Sequence, residues 1–144
     1  MVFAVKGRAN LISPHWKNEL YAYIAGIITS KGHKSIIVNG FTDHIHCFIG
    51  LKPSIALSDL VRDIKNNSSK FINDNHWIKG KFQWQEGYGA FSYGHSQIER
   101  VYNYILRQDE HHKRKNFKSE FLDLMNRFEV QFQEKYLFDW IDDK

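Results

Sequence analysis

The sequence has little cysteine and little proline, with one and two of these residues in 144. A single thiol excludes an internal disulfide, and we expect Cys47 to be a small core residue. No apolar run reaches the roughly 20 residues that span a bilayer, and the amino terminus has no signal-peptide pattern. These absences predict a cytoplasmic protein with no membrane partner.

The rest of the composition is ordinary for a soluble globular protein, with 42% hydrophobic and 25% charged residues. The length fits one domain, residues 1–144, in which a C-terminal helix and an acidic tail begin at about residue 117. No repeat, low-complexity segment or linker divides the chain. The net charge of +4 favours a polyanionic partner only weakly.

The most informative motif is His44-Ile45-His46, which lies in the apolar run 41–51. Side chains alternate along a strand, so the two imidazoles share one face while Ile45, Cys47 and Ile49 share the other. Neutral imidazole is a common metal ligand, and this pair makes half of a metal site. The alternative is that both histidines are structural.

A second polar group lies in segment 101–112, which contains no glycine or proline and is predicted to be a helix. Positions four and seven apart share a helix face, so Tyr104, Gln108 and His111 form one polar stripe. A neighbouring apolar stripe, which would seat the helix on the core, consists of Ile98, Val101 and Ile105. Tyr102 falls nearer that stripe, so Tyr104 is predicted to be the exposed tyrosine. Alternatively, both are ordinary surface tyrosines.

Together these patterns suggest phosphodiester chemistry. A divalent ion held by His44, His46 and a third ligand such as Gln108 would polarise a scissile phosphate. A tyrosine nucleophile would keep the bond energy in a phosphotyrosine ester, so that a DNA strand could be cut and rejoined without ATP.

These residues also carry a family resemblance, over roughly residues 2–130. The chain resembles the single-tyrosine HUH transposases, namely the TnpA-like enzymes of small insertion sequences and the REP-associated tyrosine transposases. His44-Ile45-His46 matches the HUH motif, with Asp43 before it as in many members. Two downstream blocks also match: WQEGYGAFS at 84–92 and YILRQDEHH at 104–112.

The resemblance implies a role for each matching residue. Tyr104 corresponds to the nucleophile that becomes linked to the 5′ phosphate of single-stranded DNA. His44, His46 and Gln108 correspond to the ligands of magnesium or manganese, although two imidazoles alone would suggest zinc or a later transition metal. The implied partners are single-stranded DNA with hairpins and, in many members, a second copy of the chain. Members have a longer lead-in to the first strand, so the first strand is expected to be clipped here.

Basic and aromatic residues near the predicted site could contact DNA. Lys113, Arg114 and Lys115 directly follow the tyrosine helix, and Arg62 and Lys65 lie off the buried face of an earlier helix. The alternative for the run at 113–115 is a solvated helix end. Aromatic rings before the tyrosine helix could stack on bases or belong to the core: Trp77, Phe82, Trp84, Tyr88, Phe91 and Tyr93.

Periodicity predicts strands at 2–6, 34–38, 42–51, 82–86 and 90–93, and helices at 14–29, 54–72, near 98–112 and at 117–136. Asn39-Gly40 is predicted to form a hairpin turn, and Ser96 to cap the tyrosine helix with Glu99 as its capping-box partner. This order predicts an α+β fold, a ferredoxin-like sandwich with an antiparallel sheet and helices packed on one face.

Three functions remain open at this stage. The first is a metal-dependent transposase that cleaves and rejoins single-stranded DNA through Tyr104. The second is a metal-dependent nuclease that uses the same histidines with water as the nucleophile. The third is a catalytically silent relative that binds hairpin DNA without cutting it.

Overall fold

A computed structural model describes residues 1–108 together with Ser119, Leu122 and Asp123. The strands are β1 Val2–Ala4, β2 Lys34–Phe41 and β3 His44–Gly50, and the helices are α1 Lys17–Ser30, α2 Leu57–Asp74 and α3 Ile98–Leu106. The strands form an antiparallel sheet in the order β1-β3-β2. The predicted α+β fold is confirmed.

The hairpin between β2 and β3 turns three residues later than predicted. Phe41 pairs with His44, so the turn residues are Thr42 and Asp43, and the predicted Asn39-Gly40 turn is wrong. Gly40 lies within β2 instead. A Cβ atom at this position would clash with the backbone carbonyl oxygen of His44. Glycine is therefore required here because two backbones approach closely, and not because the chain reverses.

Segment 83–89 lies along the free edge of β1. The N–H of Gln85 donates to the Ala4 carbonyl at 2.8 Å, and Gly89 and Val2 exchange two bonds of 2.8 Å. Only single bridges form, at Trp84 and Gly89, so the predicted strands 82–86 and 90–93 are wrong as regular strands. Gly87, with φ of +84°, bends the chain between the bridges. The segment nevertheless occupies the edge position of a fourth strand, which completes a ferredoxin-like order.

The hydrophobic core lies between the sheet and the pair α1 and α2. Ile45 and Cys47 of β3 are buried in it, as their alternation with the histidines predicted. Leu20, Ile24 and Ile64 contribute from the two helices. In the described part of the chain, no helix is long and apolar enough to cross a membrane.

Helix α3 lies across the opposite face of the sheet. Asn39 of β2 donates its side-chain N–H to the carbonyls of Ile105 at 2.8 Å and Leu106 at 3.3 Å. These carbonyls belong to the last turn of α3, so the bonds fasten that end of the helix to the sheet.

The start of α3 differs from the prediction, because Ser96 and Glu99 do not cap it. Residues His95–Gln97 form a 3-10 turn before the helix, and Gln97 Oε1 accepts the N–H of Gly94 at 3.0 Å. The predicted C-terminal helix at 117–136 and the acidic tail fall almost entirely outside the described residues, although Ser119, Leu122 and Asp123 have helical backbone.

Candidate active site

The two histidines of β3 are buried side by side on the face that α3 covers. The exposed fractions are 0% for His44 and 5% for His46, and the ring centroids lie 5.2 Å apart. Alternation along β3 turns both rings away from the hydrophobic core. A sequence that places two buried polar rings on this face must supply them with polar partners.

His44 receives its partners from the turn and from the residues after α3. Asp43 Oδ1 lies 2.7 Å from His44 Nδ1, and Gln108 Oε1 lies 3.1 Å from His44 Nε2. The Asp43 carboxylate accepts, so Nδ1 carries a proton and Nε2 of a neutral ring offers a lone pair. Gln108 Nε2 donates to the Tyr104 carbonyl at 3.4 Å, which directs Oε1 toward His44.

The pair formed by His44 Nε2 and Gln108 Oε1 therefore places two electron-pair donors against each other. A cation between them, either a proton or a metal ion, makes this arrangement favourable. Within the described residues no group of three His, Cys, Asp or Glu converges. A metal site here would combine the imidazoles of His44 and His46 with amide oxygen, and this donor set fits a divalent ion.

Tyr104 lies on α3, four residues before Gln108, and next to His46. The ring centroids of Tyr104 and His46 are 6.1 Å apart, with the planes at 89°. The predicted exposure is wrong, since Tyr102 is 37% exposed whereas Tyr104 is half-buried. The physical reason is that the polar stripe of α3 faces the polar histidines of the sheet, so its tyrosine turns inward with them.

A cavity of about 220 Å³ opens beside this tyrosine. His46 and Tyr104 line it together with three aromatic rings, Phe48, Phe91 and Tyr93. The rings of Phe48 and Tyr93 meet edge to face at 5.9 Å. Of the six aromatic residues that the sequence analysis singled out, Phe91 and Tyr93 reach the candidate site.

The other aromatic residues of that series mainly serve packing. Phe82 and Trp84 are buried in the core, and Trp84 Nε1 donates to Ser68 Oγ of α2 at 2.9 Å. Trp77 stacks on Trp16 with 5.0 Å between ring centroids. Tyr88 is 38% exposed beside α2.

Two of the predicted DNA contacts, Arg62 and Lys65, lie on α2, which packs on the other face of the sheet from the tyrosine. Arg62 is exposed and pairs with Asp59 at 3.3 Å. Lys65 donates its ammonium protons to the carbonyls of Gln85, at 2.9 Å, and Gly87, and its partial burial lowers its pKa. Lys65 therefore ties α2 to segment 83–89. Lys113, Arg114 and Lys115 lie outside the described residues.

Two further residues complete the description. Cys47 faces the core, and burial raises the pKa of its thiol to about 12, which agrees with a packing role. Gln85 is buried on segment 83–89, and sequence reasoning missed it. The signal that could have found it is alternation: Phe82 and Trp84 face the core, so Gln83 and Gln85, which alternate with them, must face away.

An α+β sandwich with a histidine pair on one face and a tyrosine helix against it is the arrangement expected of a DNA transposase. The family model described as "Transposase IS200 like" matches residues 1–108. The chain belongs to this family of IS200-like transposases.

A solved structure agrees in fold. It is the crystal structure of a candidate transposase from Deinococcus radiodurans R1, with 20% sequence identity and a TM-score of 0.58. The similarity covers 74% of this chain and 86% of that one. Among proteins of curated function, none matches the sequence.

Proposed function

We propose that this transposase cleaves and rejoins single-stranded DNA at hairpin-flanked element ends through a 5′-phosphotyrosine intermediate on Tyr104. The observation that carries the proposal is the position of the Tyr104 ring beside His46, in a chain whose His44 also reaches Gln108. Candidate nucleophile and candidate metal ligands thus belong to one site.

The chemistry of the step follows from the tyrosine. Its Oη atom forms a bond to phosphorus, and the bond from phosphorus to the 3′ oxygen breaks. The phenol proton is released to solvent, and the leaving oxygen takes up a proton to become a 3′ hydroxyl. The energy of the broken phosphodiester is kept in the tyrosine ester, so attack by another 3′ hydroxyl rejoins DNA without ATP.

Magnesium or manganese is the cofactor we propose, held by His44, His46 and Gln108. These residues would hold the ion where, when bound, it would supply polarisation of the phosphate and stabilisation of charge on the leaving oxygen. Hydrogen bonds within the chain orient two of these ligands before a metal binds. Asp43 fixes the proton on Nδ1 of His44, and Tyr104 accepts the amide N–H of Gln108 at its backbone carbonyl, so that both donors are oriented.

The proposed substrate is DNA with unpaired bases. The aromatic cavity beside Tyr104 has flat, apolar walls that suit one base next to the scissile phosphate. The basic residues at 113–115 would hold the phosphate backbone, as the sequence predicts. A second copy of the chain is the proposed protein partner, since paired element ends require two sites.

The first test is to incubate the protein with manganese and labelled single-stranded DNA from its own flanking genome, and to look for a covalent adduct on denaturing gels. We expect an adduct with the wild type and with Tyr102→Phe, and none with Tyr104→Phe. Both substitutions remove one phenol oxygen from the same helix, so Tyr102→Phe is a matched control.

The outcomes separate the remaining functions. Cleavage that persists in Tyr104→Phe and yields free 5′ ends would identify a nuclease that uses water. Hairpin binding without any cleavage by the wild type would identify a silent DNA-binding relative. Loss of the adduct in Tyr102→Phe alone would show that Tyr104 is not the nucleophile.

A further inference from the structure

Gln85 is a buried polar side chain with no role in the site described so far. It is 7% exposed, and its Oε1 atom is buried without a hydrogen-bond donor from the described part of the chain. A buried acceptor without a donor costs about 1–3 kcal/mol, so such an atom calls for an explanation.

The sheet register places Gln85 on the same face as His44. Gln85 lies opposite Ala4, because its N–H donates to the Ala4 carbonyl and the bridge from Val5 to Trp84 is adjacent. Ala4 in turn pairs with His44. Residues directly opposite in an antiparallel sheet point to one face, so the three form a row across the sheet.

Neighbouring side chains confirm this orientation. Trp84 turns to α2, where it donates to Ser68, and the next side chain must turn the other way. The row spans about 10 Å from Gln85 to His44, since strands lie about 4.8 Å apart. Between them Ala4 carries only a methyl group, so a long amide and an imidazole can both extend above it.

We propose that the amide oxygen of Gln85 is a further oxygen donor of the metal site, in addition to His44, His46 and Gln108. This inference rests on the proposed metal-assisted function. It also accounts for the preferred ion. Two imidazoles with one amide favour zinc or a later transition metal, whereas a second amide oxygen shifts the donor set toward the oxygen-rich coordination of magnesium and manganese.

The experiment is a manganese titration of the full-length protein without DNA, with free Mn²⁺ followed by its electron paramagnetic resonance signal. We expect Gln85→Met to weaken Mn²⁺ binding about tenfold or more, as removal of supporting groups around metals does. Gln83→Met is the matched control, because Gln83 is exposed on the same segment and accepts from Lys6 Nζ at 3.2 Å. It should bind Mn²⁺ as the wild type does.

Two further variants, Gln85→Glu and His46→Ala, distinguish failure of this inference from failure of the proposed function. Gln85→Glu retains the oxygen and adds charge, so it should bind Mn²⁺ more tightly, and it replaces Gln85→Met if that variant fails to fold. Unchanged affinity in the folded Gln85 variants, with binding lost in His46→Ala, would overturn this inference and leave the proposed function standing. Absence of Mn²⁺ binding by the wild type would overturn the metal-assisted function as well.

Discussion

Asp43 determines which nitrogen of His44 faces the candidate site. Its carboxylate lies 2.7 Å from Nδ1 and can only accept, so the free electron pair of a neutral ring is on Nε2, toward Gln108. The carboxylate therefore selects one tautomer and holds the ring in place.

We expect Asp43→Asn to weaken Mn²⁺ binding by about 10-fold to 100-fold, the usual effect of losing a carboxylate behind a histidine ligand. The measurement is the same Mn²⁺ titration. Asp74→Asn is the control, since Asp74 is exposed at the end of α2 and pairs with Lys70 at 3.3 Å. Equal weakening in both variants would mean that net charge, and not the tautomer of His44, sets the affinity.

The sequence predicted the members of the candidate site better than their environment. Spacing placed His44 and His46 on one strand face, and Tyr104 and Gln108 on one helix face, and the structure brings these four together. Their burial could not be predicted, because a polar stripe normally faces water. The inward orientation of Tyr104 could be predicted only by knowing that the polar face of the helix packs against the polar face of the sheet.

At the scale of elements, the β2–β3 hairpin positions the site. Gly40 allows the backbones of β2 and β3 to approach each other closely. We expect Gly40→Ala to lower the free energy of unfolding by about 3 kcal/mol, the upper range for overpacking, because the methyl group would meet backbone. Urea unfolding measures the change.

Gly26→Ala is the control for this prediction. Gly26 is exposed in α1 and has nothing within 4 Å of an added Cβ, so alanine there should stabilise the protein by about 0.5–1 kcal/mol. Equal effects at the two positions would show that the substitution at Gly40 acts through backbone propensity alone and not through the contact with His44.

The errors at this scale share one cause. Asn39-Gly40 is a strong local turn signal, but Asn39 is needed within β2 to bond α3, and Gly40 is needed for clearance. Segment 82–93 has strand-like composition, yet Gly87 bends the chain between the two bridges, and Lys65 of α2 binds the carbonyls of Gln85 and Gly87 there. Contacts between distant parts of the chain decided both cases, and local patterns do not contain them.

At the scale of the whole molecule, Tyr104 and His46 of one chain lie against each other. We propose that each chain works with its own tyrosine, even within the proposed dimer. We expect a mixture of Tyr104→Phe and His46→Ala proteins to form no covalent adduct. The gel assay for adducts measures this directly.

A mixture that regains activity would contradict this prediction, because one intact site can then form only between chains. The control is a mixture of each variant with the wild type, which should retain the adduct of the wild type. This comparison also excludes simple poisoning of the wild-type protein by inactive chains.

The two-residue turn at Thr42 and Asp43 has a consequence for how this protein can diverge. Turns between strands usually tolerate insertions and deletions among relatives. Here one added residue that entered the ladder would shift β3 by one position and turn both imidazoles toward α1 and α2. An addition within the turn would instead separate Asp43 from His44. We therefore expect this turn to tolerate substitutions more readily than insertions or deletions.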